Sequence, residues 1–234
     1  MKVAKGNGKL GKGCFSVSRP VGDTCPDSCV YLHNSCYAEK TEKQYPSVRP
    51  AGMQNLITEK NKIRAMVLDA IKSSLSIRWH ERGDWFRDGS LDIEYVDNVT
   101  WACDSILANG IDLPDMWFYT HIYDNRLVKM EKYMEVYASV HNADDKALAV
   151  KAGFKLFAWC DSDEKITPKR PHHMKGAGSW RKSLPKLVII DNTRYVTCPE
   201  IRRGRGVVTC TPTEGSVACN MCVKGLANVL FPSH

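Results

Sequence analysis

Met116-Trp-Phe-Tyr-Thr-His121 is the first of three stretches that decide the fold class; the others are Val136-Tyr-Ala-Ser-Val-His141 and Phe154-Lys-Leu-Phe-Ala-Trp-Cys160. Each is short and rich in aromatic and β-branched residues, which is typical of a buried strand. Helices are predicted in the segments that separate them, from about Arg126 to Met134 and from Ala143 to Ala152; Asn142 caps the second and Gly153 ends it. Strands that alternate with helices predict a parallel β-sheet.

The same alternation extends in both directions along the chain. Further strands are predicted at Cys14–Ser18, Leu75–His80 and Leu187–Asp191, and apolar residues recur at helical spacing over 53–71 and 93–107. We therefore predict a single α/β domain over residues 1–234, built as a partial (β/α)6-type barrel.

In a sheet of this kind, reacting groups lie at the carboxyl ends of the strands. The second predicted strand runs into Arg78-Trp-His-Glu-Arg-Gly-Asp84, where a histidine stands near two carboxylates. A carboxylate orients an imidazole and raises its basicity, so His80, Glu81 and Asp84 are predicted to form a catalytic acid–base group. The alternative is that Arg78 pairs with Asp84 to hold the loop, while His80 is a partly buried side chain whose hydrogen bonds are satisfied. Other predicted strands end in polar residues that would share this edge: Thr120, His121, His141, Cys160, Asp161 and Asp191.

The chain has ten cysteines, and seven of them fall into two groups. The C-terminal group reads Cys198-Pro-Glu, then Cys210, then Cys219-Asn-Met-Cys222. Two thiolates of a C-x-x-C turn reach one metal site, and the two more distant cysteines close the coordination from the other side. A proline directly after a ligand cysteine is typical of bacterial ferredoxins. We therefore predict that residues 198–222 form a cysteine-rich segment that binds a [4Fe–4S] cluster; zinc and unliganded buried thiols are the alternatives.

The N-terminal group, Cys25, Cys29 and Cys36, follows the first predicted strand directly. Cysteines in that loop would face the carboxyl edge, where they would hold a cluster with one iron open to substrate. A structural metal site and a supporting role beside the C-terminal cysteines are the alternatives.

Residues 165–186 form a long segment without periodicity that contains seven Lys or Arg and no Asp or Glu. Its charge predicts either a lid that attracts an anion, such as a phosphate or a nucleic acid, or a solvated loop. The whole chain has 33 Lys+Arg and 26 Asp+Glu, a net charge of +7. No stretch reaches the roughly 18 apolar residues of a membrane span, and the start lacks a secretory signal. We expect a cytoplasmic protein with no membrane partner.

Two of these segments resemble a known family. Thr24–Glu39, which ends in Cys-Tyr-Ala-Glu, and Ile77–Phe86 are similar to the opening and to the Arg-x-His-x-x-Gly-Asp-Phe signature of cysteine-rich phage proteins of the gene product eighty-eight type. The match departs at Trp85, because Phe86 follows one residue later than the family's aromatic residue. The spacing of the C-terminal cysteines is similar as well.

The resemblance implies a phage-encoded protein that acts in the host cytoplasm. It also implies a distant relationship to radical-SAM enzymes, which share a (β/α)6 partial barrel and a three-cysteine loop after the first strand. The spacing Cys25-x3-Cys29-x6-Cys36 matches the C-x3-C-x2-C of those enzymes in its first gap only, and no Gly-Gly-Glu follows the second strand. The resemblance therefore implies the fold of these enzymes more strongly than it implies their cofactor, S-adenosylmethionine (SAM).

These patterns lead to three functional hypotheses. The first is an iron–sulfur enzyme that acts on an unidentified small molecule or nucleic acid at the sheet edge near the cluster. The second is an iron–sulfur hydrolase, such as an esterase, without radical chemistry and without the Gly-x-Ser-x-Gly of common serine hydrolases. The third is a non-catalytic nucleic-acid-binding module whose fold is held together by a cluster or by zinc.

Overall fold

A computed structural model of the chain describes residues 1–33, 36–57, 59–161, 165–168, 177–204 and 207–232. Its strands are, in chain order, β1 (Val3–Asn7), β2 (Gly11–Val17), β3 (Ser76–Arg78), β4 (Phe86–Arg87), β5 (Ser90–Leu91), β6 (Met116–Thr120), β7 (Glu135–Val140), β8 (Leu156–Cys160), β9 (Leu187–Ile190), β10 (Thr193–Thr197), β11 (Val208–Thr209), β12 (Val217–Ala218) and β13 (Asn228–Phe231). Its helices are α1 (Tyr37–Gln44), α2 (Val48–Met53), α3 (Lys60–Lys72), α4 (Ile93–Leu107), α5 (Asn125–Val128), α6 (Ala143–Ala152), α7 (Ala177–Ser183) and α8 (Pro199–Arg203), with a 3-10 helix at Lys129–Lys132. None of the described helices is long and apolar enough to cross a lipid bilayer.

The architecture is a nine-stranded, mostly parallel sheet in the order β1-β2-β3-β6-β7-β8-β13-β10-β9. Neighbours from β2 to β10 run parallel, while β1 and β9 pair antiparallel with β2 and β10 at the two edges. The predicted α/β class is confirmed. Because the described strands form an open sheet with two edges, the predicted barrel is not confirmed.

Five of the six predicted strands lie side by side in the parallel part of this sheet, as β2, β3, β6, β7 and β8. The sixth, predicted at Leu187–Asp191, is β9, which lies on the edge and runs antiparallel. Neither β10 nor β13 is predicted by the residue patterns. The strand β13 comes last in the chain and inserts between β8 and β10, a placement that depends on its neighbours in space more than on its own sequence.

Helices cover one face of the sheet. The helices α3 and α4 pack against each other and turn apolar residues such as Ile63, Val67 and Val99 onto that face. Alternate strand residues, among them Ile77 and Phe118, meet them in the main core. The helix predicted over 93–107 is therefore confirmed, and the one predicted over 53–71 is confirmed from residue 60 onward, whereas residues 54–57 form turns. This layer leaves the opposite face of the sheet to the rest of the chain.

The C-terminal part of the chain covers that opposite face. Trp117, whose side chain alternates with that of Phe118, packs with Leu10 and Val223 in a separate apolar cluster. The Cys210 N–H donates to the carbonyl of Lys9 at 3.0 Å, and the next N–H donates to the carbonyl of Leu10 at 2.9 Å. The β1–β2 turn and the C-terminal segment thus meet over the sheet.

A buried arginine organises the loops at the carboxyl end of β2. The Arg19 side chain has no exposed surface, and its Nη2 lies 2.5 Å from Oδ2 of Asp92. The guanidinium also donates to the carbonyl oxygens of Leu56 and Asp84, at 3.0 and 3.2 Å, and it stacks over the ring of Tyr95. Asp92 in turn accepts a hydrogen bond from the Tyr95 N–H at the start of α4. One side chain therefore joins β2, the loop after β3, and α4.

We predict that Asp92→Ala lowers the free energy of unfolding by about 3–5 kcal/mol, because it leaves the Arg19 charge buried without its partner. Urea unfolding followed by circular dichroism measures the change. The matched control is Asp112→Ala, at an exposed position, which should change the free energy of unfolding by no more than about 0.5 kcal/mol. A loss below about 1 kcal/mol, the range of a surface ion pair, would contradict this role of the pair.

Candidate functional site

The four C-terminal cysteines line one small cavity of about 20 Å³. They come from separate pieces of local structure: Cys198 precedes α8, Cys210 follows β11, Cys219 follows β12, and Cys222 lies in the next turn. The remaining walls are formed by Pro199, Glu200, Thr209, Met221 and Val229. The structure therefore places all four predicted ligands around one cavity.

Backbone hydrogen bonds hold the walls of this cavity. The Cys198 N–H donates to the carbonyl of Leu230 in β13 at 2.9 Å, so one wall is attached to the sheet. The Cys219 N–H donates to the carbonyl of Thr209 at 2.8 Å, and the Asn220 N–H donates to that of Cys210 at 3.0 Å. The positions of the thiols are thus set by paired backbone.

Burial makes three thiols of this cavity, those of Cys210, Cys219 and Cys222, weaker acids. It raises the pKa of Cys210 to about 12, an increase to which nearby Cys198 adds and which Lys9 opposes. Burial likewise raises the pKa of Cys219 and of Cys222. Because cysteine binds metals as the thiolate, a metal centre in this cavity would supply the positive charge that favours deprotonation.

The arrangement of the four thiols bears on whether a single metal ion or a cluster would fit the cavity. Among the residues that the structure describes, no three His, Cys, Asp or Glu side chains converge closely enough to hold a single metal ion. Zinc, with Zn–S bonds of about 2.3 Å, would require its thiolates to lie within about 4 Å of one another. In a cubane cluster each thiolate binds a different iron, so the ligands stand farther apart around a shared centre. The cavity of about 20 Å³ has room for about one water molecule, so either centre would require its walls to move apart, and the choice between a cluster and zinc stays a prediction.

The N-terminal cysteines lie in a loop of consecutive turns after β2. The Cys36 N–H donates to the carbonyl of Tyr31 at 2.9 Å, and all three cysteine side chains pack around an apolar cluster of Val21, Leu32 and Ala38. Burial raises the pKa of Cys25 to about 12, and the charges of Asp84 and Cys29 add to the increase. The loop follows β2 at the carboxyl edge, as predicted, whereas a ligand role for its thiols stays a prediction.

His80 lies inside an aromatic cluster. It is only 3% exposed, its ring centroid is 4.3 Å from that of Trp85, and its Nε2 lies 3.3 Å from the hydroxyl of Tyr95. Burial lowers the pKa of His80 well below its ordinary value, and the charges of Arg19 and Arg78 add to the decrease. These contacts favour the structural alternative for His80, and its catalytic role stays a prediction.

Glu81 and Asp84 have separate partners. The Glu81 carboxylate accepts hydrogen bonds from the Ser16 hydroxyl and from the Asn7 amide, which ties the end of β3 to β2 and β1. Asp84 is buried, and it accepts from the Thr120 hydroxyl at 2.7 Å and from the His121 N–H at 2.9 Å. Burial raises the pKa of Asp84 to about 6. The three predicted side chains thus occupy three environments, and Asp84 is the one that contacts β6 at the edge.

Two histidines meet at this edge, although their spacing in the sequence does not identify them as a pair. His121 and His141 directly follow β6 and β7, which are adjacent parallel strands, and their Nε2 atoms lie 3.0 Å apart. The Nδ1 atom of His121 is 4.0 Å from Oδ2 of Asp84. The sequence indicates this pair through a histidine at the end of each of two neighbouring predicted strands. The structure thus brings Asp84, His121 and His141 together at this edge, and the catalytic roles of His80, Glu81 and Asp84 stay predictions.

The basic segment 165–186 lies partly outside the described residues, which omit 169–176. Its beginning is held by Asp161, whose carboxylate accepts from the N–H of Thr167 at 2.8 Å and from its hydroxyl at 2.7 Å. The indole N–H of Trp180 in α7 donates to the carbonyl of Pro168 at 2.6 Å. Anion binding by this segment stays a prediction.

We predict that His80 makes the protein less stable as the pH is lowered from 7 to 5. Because its pKa is depressed in the folded state, the unfolded chain takes up a proton in that range and the folded chain does not, so acid favours unfolding. His80→Gln should flatten the dependence of unfolding free energy on pH by up to about 1.4 kcal/mol per pH unit, the limit for one proton. Urea unfolding at several pH values measures this slope. The exposed His33→Gln should leave it unchanged, and an unchanged slope in His80→Gln would refute the buried neutral imidazole.

Comparisons with known proteins bear on the whole chain. A search of curated proteins and a search of solved structures returned no match. A family model described as Gene product 88 matches residues 1–225, a range that includes Thr24–Glu39, Ile77–Phe86 and the four C-terminal cysteines. Since the match extends over nearly all of the sequence, the chain belongs to the gene product 88 family.

Proposed function

We propose that this chain is a phage-encoded iron–sulfur protein in which Cys198, Cys210, Cys219 and Cys222 hold one [4Fe–4S] cluster. The observation that carries the proposal is that these thiols, contributed by three separate pieces of structure, line the same small cavity. Family membership supports the phage origin. The host cytoplasm is the compartment that we propose for it, because thiols are kept reduced there.

We further propose that the protein is an enzyme with its active site at the carboxyl edge, near the cluster. Lys9 supports this placement, because it lies within electrostatic reach of Cys198 and Cys210 in the cavity and of Cys160 at the edge. Asp84, with a pKa of about 6, is suited to accept and return a proton near neutral pH. A cluster held by four thiolates would supply electrons, since each of its irons already has a cysteine ligand.

The reaction class has two candidates. Parallel strands that alternate with helices, and a three-cysteine loop after β2, support a distant relationship to radical-SAM enzymes and their partial barrel. The group of Asp84, His121 and His141 supports a hydrolase, because acid–base side chains need no reductant. Cleavage of SAM under reducing conditions would favour the first, and turnover of a chromogenic ester without reductant would favour the second.

We predict that anaerobically purified protein is brown and contains about four iron and four sulfide per chain. Ala substitution of any of the four C-terminal cysteines should remove the colour and lower the melting temperature, because metal binding also stabilises this segment. Iron and sulfide assays, visible absorption and thermal unfolding are the measurements.

The matched control is Cys103→Ala, because Cys103 lies in the main core on α4 and should have no part in binding. That variant should keep the full iron content and the visible absorption. Colourless wild-type protein with one zinc per chain would refute the cluster and support the zinc alternative.

We also predict that the iron content does not change when Cys25, Cys29 and Cys36 are all replaced by Ser. The C-terminal group already supplies the four thiolates that one cubane requires. Iron analysis of this variant, beside wild type, is the measurement. An iron content reduced by half would instead indicate a second cluster in the N-terminal loop and would support the radical-SAM relationship.

A further inference from the structure

The strand β9 forms one lateral edge of the nine-stranded sheet, and its sequence is Leu187-Val-Ile-Ile190. It pairs antiparallel with β10 through a tight turn at Asp191 and Asn192, whose φ angles are 45° and 58°. Positive φ at both central residues is typical of the type I′ turn, which fits the twist of two paired strands. In the part of the chain that the structure describes, no strand pairs with the outer side of β9.

The register of β9 shows which of its backbone groups point outward. The Thr197 N–H donates to the carbonyl of Lys186 at 3.1 Å, so these two residues form a hydrogen-bonded pair of the ladder. Such pairs alternate along an antiparallel ladder, so every second residue from Lys186 onward bonds to β10. The N–H and C=O groups of Leu187 and Ile189 therefore point away from β10, toward the open side.

The side chains of the same two residues are exposed. Ile189 has 70% of its surface exposed and Leu187 has 37%, whereas Val188 and Ile190 point to the other face and pack against the main core. The open side of β9 thus combines outward backbone groups with two exposed apolar side chains. An edge of this kind is a template for pairing with another strand.

The opposite lateral edge of the sheet is protected against such pairing. The strand β1 carries Lys5, and its register to β2 is irregular between Lys5 and Asn7. A lysine and a bulge are two of the usual features that keep an edge strand from pairing with another chain. The strand β9 contains neither a charged residue nor a proline, and its register to β10 is continuous. Only one of the two edges is therefore suited to an interface.

The charges at the ends of β9 favour an antiparallel copy of the same strand. Lys186 precedes the strand and Asp191 follows it, and both are exposed. An antiparallel copy would bring Asp191 of the partner subunit beside Lys186 at each end, whereas a parallel copy would put like charges together. Unlike charges across a strand pair stabilise it, and like charges destabilise it.

We propose that two copies of this chain pair antiparallel through β9, related by a twofold axis near Val188, so that their two sheets become continuous. Leu187 would lie opposite Ile189 of the partner subunit, and the outward groups of both would form about four N–H···O=C bonds. Each copy would use the same residues, as in most homodimers. The two apolar cross-strand pairs would cover the exposed side chains. The inference uses no residue of the cysteine cavity or of the group at the carboxyl edge.

The test is sedimentation velocity of anaerobically purified, reduced protein at concentrations from about 5 to about 200 µM. The mass of the wild type should rise with concentration toward twice that of one chain. Ile189→Lys should stay monomeric over this range, because a charge at the centre of the strand opposes pairing with a second copy.

The matched control is Ile57→Lys, since Ile57 is 72% exposed and lies far from β9. The residue before it is bonded to Arg19, which follows β2 near the other lateral edge. This variant should dimerise as the wild type does. Melting curves show whether each variant folds, and Leu187→Lys replaces Ile189→Lys if the latter does not fold.

Hydrogen exchange of the Leu187 and Ile189 amides identifies the surface that pairs, and it should slow at least about tenfold in the dimer. A wild type that is monomeric throughout would overturn the proposal, as would a dimer that Ile189→Lys leaves intact. A dimer in which these two amides exchange as fast as in the monomer would assign the contact to another surface and would also overturn it. A wild type without iron would refute the cluster and leave this interface unaffected.

Discussion

The buried ion pair of Arg19 and Asp92 is the constraint on which the carboxyl edge depends. A guanidinium with no exposed surface requires a counter-charge and further acceptors, and the chain supplies them by bringing three segments to one point. Gly83 lies beside that point with a φ of +73°, and a Cβ atom there would come within 2.9 Å of the Arg19 carbonyl oxygen. Only glycine permits this turn. This turn places Asp84 at the ends of the central strands.

The cysteine cavity depends on a different constraint, the meeting of distant parts of the chain over the opposite face. One wall includes Thr209 of β11, which pairs with β12; both strands have two residues and are too short to be stable alone. The residues that follow β11 bond to the β1–β2 turn, and Cys198 on another wall bonds to β13. Under the proposed function, the cluster would add the free energy of its metal–thiolate bonds to this segment, so folding and cluster binding would be coupled.

Burial affects the cavity and the edge in the same way. It shifts the pKa values of Cys210, Asp84 and His121 toward the neutral form of each group. At both places the charged form of a group is therefore disfavoured unless a partner compensates its charge.

The sequence by itself determined the α/β class, five of the parallel strands and the helices α3 and α4, because periods of two and 3.6 residues are local properties of a chain. It also indicated that the C-terminal cysteines act together. Only the tertiary structure decided where β13 inserts, and which polar residues meet at the edge. Strand alternation would put Arg78 and His80 on one face, but β3 ends at Arg78 and His80 has a φ of 51°, which breaks the alternation and turns its side chain into the aromatic cluster. His121 and His141 are 20 residues apart in sequence, and they meet because β6 and β7 pair in register, a choice made by the whole sheet and not by either strand.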